Sequence, residues 1–164
     1  MAPHDPYLFN EKGECNLNAI QFSNLDPARY SEDEIWESRV NFYTQYLIYT
    51  NKKILKLFDR AKSEGSRDFI FVIQSDEGPY TRCFLENTSG NYSDCSQKDW
   101  DIKTGIINAM YFSNIGKFDE LELASPINNF NIIFTQLEKY DYHKKDHKFF
   151  ILNERDKRMA FSPN

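Results

Sequence analysis

The chain has 164 residues, of which 40% are hydrophobic and 16% aromatic, and its formal net charge at pH 7 is −5. So large an apolar share excludes a disordered chain and fits one packed domain over residues 1–164, because burial of these side chains offsets the entropy lost on ordering. With this acidic net charge, the chain lacks the excess of basic residues typical of nucleic-acid-binding proteins, so we expect no nucleic-acid partner.

The N-terminal part of the domain predicts little regular structure. Residues 1–30 are rich in Asn, Pro and Gly, which indicates a loop-rich N-terminal arm. Within this arm, the sequence Ala-Ile-Gln-Phe at residues 19–22 alternates weakly between apolar and polar side chains. That alternation predicts a short edge strand.

A long helix follows the arm. Ser31 stands three residues before Glu34, which is the spacing of a capping box at a helix N-terminus. Apolar residues then recur at steps of three and four as far as Gly65. The pattern predicts one long amphipathic helix, or two helices with a break near Thr50 and Asn51.

The middle of the chain predicts a β-hairpin. Residues 69–73, with the sequence Phe-Ile-Phe-Val-Ile, combine β-branched and aromatic side chains, as a strand apolar on both faces does. The turn-forming sequence Asp-Glu-Gly-Pro occupies residues 76–79, and residues 80–85 then alternate. We expect residues 69–73 and 80–85 to pair across this turn.

Two helices and a second hairpin complete the predicted fold. A helix begins at Ser96 or Lys98 and continues to Tyr111, weakened by about 1 kcal/mol at Gly105. Another begins at Ser125-Pro126 and places apolar residues on one face as far as Leu137. Residues 149–152 and 158–161 flank a polar turn. We therefore expect an α+β fold, with an antiparallel sheet of four to five strands and about three helices packed mainly on one face.

The cysteines and the N-terminus bear on the cell compartment. No stretch reaches the roughly 20 apolar residues of a membrane helix, and residues 1–6 lack the basic start and apolar run of a signal peptide. Cys15, Cys83 and Cys95 are odd in number and have no Cys-x-x-Cys spacing, which favours reduced thiols. We expect a cytoplasmic protein with no membrane partner, and interpret the two Asn-x-Ser sequons, at Asn87 and Asn91, as loop signals.

One pair of histidines has the spacing of metal ligands. His143 and His147 lie four residues apart, so on a helix both rings would point the same way, and Asp141 or Asp146 could add a carboxylate. The sequence around them is not His-Glu-x-x-His, and a solvated, charged loop explains it equally. A metal site is therefore only the alternative prediction, and we expect no cofactor.

Catalytic motifs are missing from the sequence. No Gly-x-Ser-x-Gly turn and no glycine-rich phosphate loop occurs, and nothing in the sequence pairs a cysteine with a histidine. We predict a protein that is not an enzyme.

Acidic residues gather at the start of the long helix. Residues 1–50 hold the whole excess of negative charge, and four acids lie close to Trp36. Acids beside aromatic residues suit capture of a basic protein, because charge speeds the encounter and aromatic anchors prolong the contact. The same acids also serve to cap and solvate a helix. With two acids from the predicted turn, the candidate partner-binding residues are Glu32, Asp33, Glu34, Trp36, Glu37, Asp76 and Glu77.

Part of the sequence resembles a known group of proteins. The segments concerned are Leu-Phe-Asp-Arg-Ala at residues 57–61, residues 67–73 with the hairpin after them, and Ser-Gln-Lys-Asp-Trp at residues 96–100. They resemble small immunity proteins of bacterial polymorphic-toxin systems, such as contact-dependent inhibition or type VI secretion, and the terminal strand at 149–153 fits the same order. The resemblance covers about half the chain. It implies a cytoplasmic protein that binds a cognate toxin, often a nuclease or other enzyme, and blocks its active site or a surface it needs.

Three hypotheses about function follow. The leading one is a cytoplasmic inhibitor that neutralises a cognate toxin or another basic protein by direct contact. The second is a small metal-dependent hydrolytic enzyme that uses His143 and His147. The third is a structural homo-oligomer whose exposed aromatic residues bury against a symmetry mate. The oligomeric state itself is left open by the sequence.

Overall fold

The fold is described from a computed structural model of the chain. It describes residues 6–22, 30–65, 67–87, 92–113, 126–138, 149–151 and 159–161. Contacts along the backbone divide the chain into two compact units, Met1–Ser66 and Arg67–Asn164, which we call the first and second units. The single domain predicted over residues 1–164 stays a prediction.

A short helix, α1 (Leu17–Phe22), lies in the first unit where the sequence predicts an edge strand. The strand prediction is wrong because Asn16 caps a helix here: its Oδ1 accepts a hydrogen bond from the backbone N–H of Ala19 at 3.2 Å. Ala19 is buried at the centre of this helix. The capping residue Asn16 therefore indicates the secondary structure of this segment better than the weak alternation of residues 19–22 does.

The long helix of the first unit, α2, runs without a break over Glu32–Ser63. The capping box is confirmed: Glu34 N–H donates to Ser31 Oγ at 3.3 Å, and Ser31 N–H donates to Glu34 Oε2 at 2.9 Å. No break occurs near Thr50, whose hydroxyl instead donates to the carbonyl of Tyr46 at 2.8 Å. The prediction of one long helix is confirmed, and that of two helices is wrong.

The arm before α1 packs on α2 through aromatic rings. Phe9 pairs with Cys15 in an isolated antiparallel bridge, and its ring lies 5.1 Å from the ring of Tyr49. The turn of this bridge needs Gly13, which has a φ of 85° and sits against the Tyr49 ring. Lys52 adds a hydrogen bond from its Nζ to the carbonyl of Glu11 at 3.0 Å.

The second unit contains a two-stranded ribbon. Strand β1 (Ile70–Gln74) pairs antiparallel with β2 (Asn108–Phe112), so that Ile70 lies opposite Phe112 and Gln74 opposite Asn108. The predicted strand at residues 69–73 is confirmed. Its predicted partner at residues 80–85 is wrong, because that segment forms a short helix, α3 (Arg82–Glu86).

Helix α4 (Gln97–Thr104) begins where predicted but ends early. Ser96 and Asp99 form a second capping box, while the chain leaves the helix at Gly105, whose backbone conformation is no longer helical. The residues after Gly105 are then available to form β2. The prediction of a helix as far as Tyr111 is therefore wrong beyond Thr104.

A buried cluster of the second unit lies between α3 and α4. Phe84, Cys95 and Trp100 are buried there, and the rings of Phe84 and Trp100 meet edge to face at 4.9 Å. Cys83 and Cys95 form a disulfide across a sequence separation of 12. Of the three thiols expected to be reduced, only Cys15 is free.

Helix α5 (Asn129–Glu138) follows a 3-10 turn over Pro126–Asn128, which agrees with the predicted helix start at Pro126. Strand β3 (Phe149–Ile151) pairs antiparallel with β4 (Met159–Phe161). This pairing confirms the predicted C-terminal hairpin.

The predicted sheet of four to five strands is wrong. The described strands form two separate pairs, β1–β2 and β3–β4, and the described residues hold five α-helices instead of about three. The segments at 80–85 and 17–22 became helices, which removed two strands from the expected sheet. Within the described part of the chain, no helix combines the length and the apolar character needed to cross a membrane.

Candidate functional site

One of the acidic residues at the start of α2 takes part in capping the helix. Glu34 closes the capping box, and hydrogen bonds from the backbone and the hydroxyl of Ser31 lower the pKa of its carboxyl. Glu32, Asp33 and Glu37 are exposed, and Trp36 is partly buried. Glu32 and Asp33 lie in the first turn, where the helix dipole stabilises negative charge, and Glu37 in the second turn extends this negative surface.

The two acids predicted at the turn, Asp76 and Glu77, lie in the second unit, and Glu77 forms an ion pair. Glu77 pairs with Nζ of Lys103 from the last turn of α4, and that ammonium sits 3.3 Å from the centre of the Tyr80 ring. Gly78 N–H donates to the carbonyl of Lys103 at 2.8 Å. Glu77 therefore links the turn to the end of α4, and both Glu77 and Asp76 are exposed. The prediction that these acids and the residues at the start of α2 bind a partner stays a prediction.

Side-chain amides hold the start of α5 against the end of the β1–β2 ribbon. Asn129 Nδ2 donates to Asn108 Oδ1 at 2.7 Å and to Gln74 Oε1 at 3.0 Å. Asn108 Nδ2 returns a bond to Asn129 Oδ1 at 3.1 Å. Asn128 and Asn129 are almost completely buried, and Ile132 is fully buried one turn later. Because buried amides need partners, this cluster fixes which side of α5 faces the ribbon.

The opposite side of α5 is an apolar surface that is exposed. Its four residues follow the helix at steps of three and four, and their exposed fractions are 63%, 69%, 49% and 58% for Ile127, Phe130, Phe134 and Leu137. The rings of Phe130 and Phe134 lie 6.3 Å apart. We call these four residues the α5 stripe. Monomeric proteins seldom expose a contiguous apolar patch of this kind unless it binds something.

Sequence reasoning placed these four side chains on one face together with Ile133, which is partly buried and lies outside the stripe, and it did not find that the face is exposed. Apolar periodicity predicts a helix face, and it does not say whether that face is turned inward. A signal was present in Asn128 and Asn129, two polar residues that interrupt the apolar run and become the buried side of the helix start. They make the inner side polar at the start of the helix, and the buried Ile132 follows one turn later.

The predicted metal site cannot be placed. His143 and His147 lie outside the described residues. Among the residues that the structure describes, no group of three or more His, Cys, Asp or Glu side chains is arranged to hold a metal ion. The metal-dependent enzyme therefore stays an alternative prediction.

Comparisons with protein-family models, with curated proteins and with solved structures found no match to this chain. The resemblance to immunity proteins thus stays an interpretation of residues 57–61, 67–73 and 96–100.

Proposed function

We propose that this chain is a non-catalytic binding protein that acts by covering a surface of another protein. The observation that carries the proposal is the α5 stripe, in which two phenylalanines and two aliphatic residues expose about half or more of their surface. Aromatic anchors at the centre of an interface supply most of the binding free energy in many complexes. The amide cluster supports this role, because it holds α5 in place before any partner binds.

Charge supports a basic partner. The net charge is −5, and the exposed acids at the start of α2 add a local negative field. Such a field raises the association rate with a positively charged protein and weakens as salt is added. A cognate toxin that this chain neutralises, as the resemblance to immunity proteins implies, is the specific partner that we propose.

The oxidation state of Cys83 and Cys95 indicates the compartment in which the partner is met. A disulfide such as Cys83–Cys95 persists in oxidising compartments and is rare in the cytosol. A cytoplasmic location, which the sequence predicts, would require this pair to be reduced. We favour an oxidising compartment, and a thiol count on protein taken from its source separates the two locations.

The test is capture of the partner by the tagged full-length chain at low salt, from the cells that make it and from the fluid around them. The captured proteins are identified by mass spectrometry, and chains encoded beside this one are included. The interface variant is Phe130→Ser combined with Phe134→Ser. The matched control is Leu55→Ser, which truncates an apolar side chain on α2 that is 61% exposed.

We expect the wild type and the control to retain one basic protein in fixed stoichiometry, and the interface variant to bind it at least about 30-fold more weakly, as loss of one hot-spot residue does. Neutralising the exposed acids of α2 should slow association at low salt and have less effect at high salt. Equal capture by the interface variant would contradict the proposed surface. A chain that retains no partner and sediments as a dimer, with the dimer lost in the interface variant, would replace the proposal with the homo-oligomer hypothesis.

A further inference from the structure

The outer edge of strand β1 carries backbone groups that do not face β2. Ser75 N–H donates to the carbonyl of Ile107 at 2.9 Å, and Ser113 N–H donates to the carbonyl of Phe69 at 3.0 Å, which closes the β1–β2 ribbon at both ends. Because hydrogen-bonded pairs alternate along an antiparallel ladder, every second residue of β1 turns its N–H and C=O away from β2. These residues are Ile70, Val72 and Gln74.

The six outward backbone groups of these three residues are open to solvent. Within the described part of the chain, β2 is the one strand beside β1, and no hydrogen bond reaches any of the six groups. Val72 is 41% exposed, and Gln74 is exposed as well. Since buried backbone groups almost always have a partner, groups without a protein partner indicate an edge that faces water.

Strand β1 also lacks the features that keep an edge strand from pairing. Proteins protect exposed edges with charged side chains, with proline or with a bulge. Residues 69–75 contain no charged residue and no proline, and the register between β1 and β2 is continuous over five pairs. An edge of this composition can accept a further strand through main-chain hydrogen bonds.

We infer that this edge of β1 binds an extended segment of a partner protein, and that the segment carries a lysine or arginine beside Asp76. Asp76 follows the last residue of the ladder, is exposed, and accepts a hydrogen bond from the backbone N–H of Glu77 at 3.1 Å. Glu77 is already paired with Lys103, so Asp76 supplies the uncompensated negative charge at this end of β1. A basic side chain complements that charge. The inference adds a second contact surface to the proposed binding function and does not depend on the α5 stripe.

The charges at the ends of β1 disfavour a second copy of the chain as the occupant. Two β1 edges match all their outward groups when they pair antiparallel with Val72 opposite Val72. Extended by two residues beyond the strand at each end, that register brings Asp76 of one copy opposite Asp68 of the other, and like charges directly opposite destabilise a strand pair. Arg67 would come opposite Glu77, which already holds an ion pair.

The experiment is selection of a phage-displayed library of random linear peptides on the full-length chain, with counter-selection on Val72→Pro. Proline removes the outward N–H of Val72 and leaves the hydrogen bonds to β2 in place, because edge strands tolerate proline where the N–H faces solvent. The matched control is Val72→Thr, which keeps the N–H and a β-branched side chain. We expect peptides that alternate apolar residues and carry a basic residue at one end. They should bind the wild type and the control at least about tenfold more tightly than Val72→Pro.

Two further measurements locate the peptide. In the free chain, the amides of Ile70, Val72 and Gln74 should exchange with solvent faster than those of Phe71 and Ile73, and a selected peptide should protect them. The slow amides of Phe71 and Ile73 also report whether Val72→Pro keeps the ladder. If that variant fails to fold, N-methylation of alternate peptide residues removes the same hydrogen bonds with the chain unchanged. Asp76→Asn should weaken peptide binding about two- to fivefold, and less at high salt.

Several results would overturn the inference. One is a library that yields no peptide, or yields peptides that bind the wild type and Val72→Pro equally. Another is slow exchange of the three outward amides in the free chain, because the edge would then be occupied already; if dilution of the chain restores fast exchange, the occupant is a second copy. Peptides that lose binding in the Phe130→Ser and Phe134→Ser variant but keep it in Val72→Pro would support the α5 stripe and contradict the β1 edge. The two proposals therefore fail separately.

Discussion

The disulfide between Cys83 and Cys95 is expected to stabilise the second unit substantially. Replacing both residues with alanine removes a cross-link that closes a loop with a sequence separation of 12. In the chain-entropy description, a cross-link of this span restricts the unfolded chain by about 3 kcal/mol at room temperature. Loss of packing adds to this cost, because Cys95 belongs to the buried cluster with Phe84 and Trp100.

The assay is urea unfolding followed by tryptophan fluorescence. The chain has two tryptophans, so Trp36→Phe leaves Trp100 as the only reporter, inside the affected core. For an unfolding slope of about 1–3 kcal/mol per molar urea, a loss of about 3 kcal/mol lowers the midpoint by roughly 1–3 M. Cys15→Ala is the matched control and should leave the midpoint unchanged, since that thiol is exposed and free.

Two results would refute this reasoning. The denatured, unreduced protein is expected to titrate with one free thiol, that of Cys15, and a count of three would mean that the cross-link is absent. An unchanged midpoint in the double alanine variant, with the thiol count as expected, would mean that the loop is already restricted in the unfolded state.

Three other perturbations test separate features of the second unit. Asn129→Leu should cost about 1–3 kcal/mol in calorimetric unfolding, because the amides of Gln74 and Asn108 lose their partner; no change would mean that water replaces it. Gly78→Ala should lower the melting temperature by several degrees, since its new Cβ would collide with the carbonyl of Ile102; an unchanged melting temperature would show that the turn yields freely. Ser96→Ala should cost about 1 kcal/mol at neutral pH. The hydrogen bond from Ser96 lowers the pKa of Asp99, so the contribution of the carboxylate is present above its unfolded pKa and is lost as pH falls through its folded pKa. The difference between wild type and Ser96→Ala should shrink in acid, and a constant difference would contradict that assignment.

Several elements could be predicted because their signals are local. Ser31 with Glu34 and Ser96 with Asp99 are capping boxes whose partners stand three residues apart, so each start is encoded in four successive residues. Strand β1 was found from its own composition. Even α1, which we predicted as a strand, has a local signal in the cap at Asn16, and that error was one of interpretation.

The pairing of strands was decided by contacts distant in sequence. Residues 80–85 and 108–112 both suit a strand beside β1, and composition does not rank them. In the folded chain, Cys83 is bonded to Cys95 and Phe84 packs on Trp100, which favours a helical turn at 82–86 and leaves β1 to pair with β2. The resulting strand count follows from these contacts and not from the propensity of either segment.

The candidate binding surface also depended on tertiary structure. The sequence by itself determined that α5 would carry its apolar residues along one face, because the steps of three and four residues follow from helix geometry alone. Which face turns inward was decided by Asn129, whose amide finds partners on Gln74 and Asn108 only once β1 and β2 have paired. Since those buried amides must stay hydrogen-bonded, the helix start is fixed to the ribbon and the α5 stripe is left facing outward.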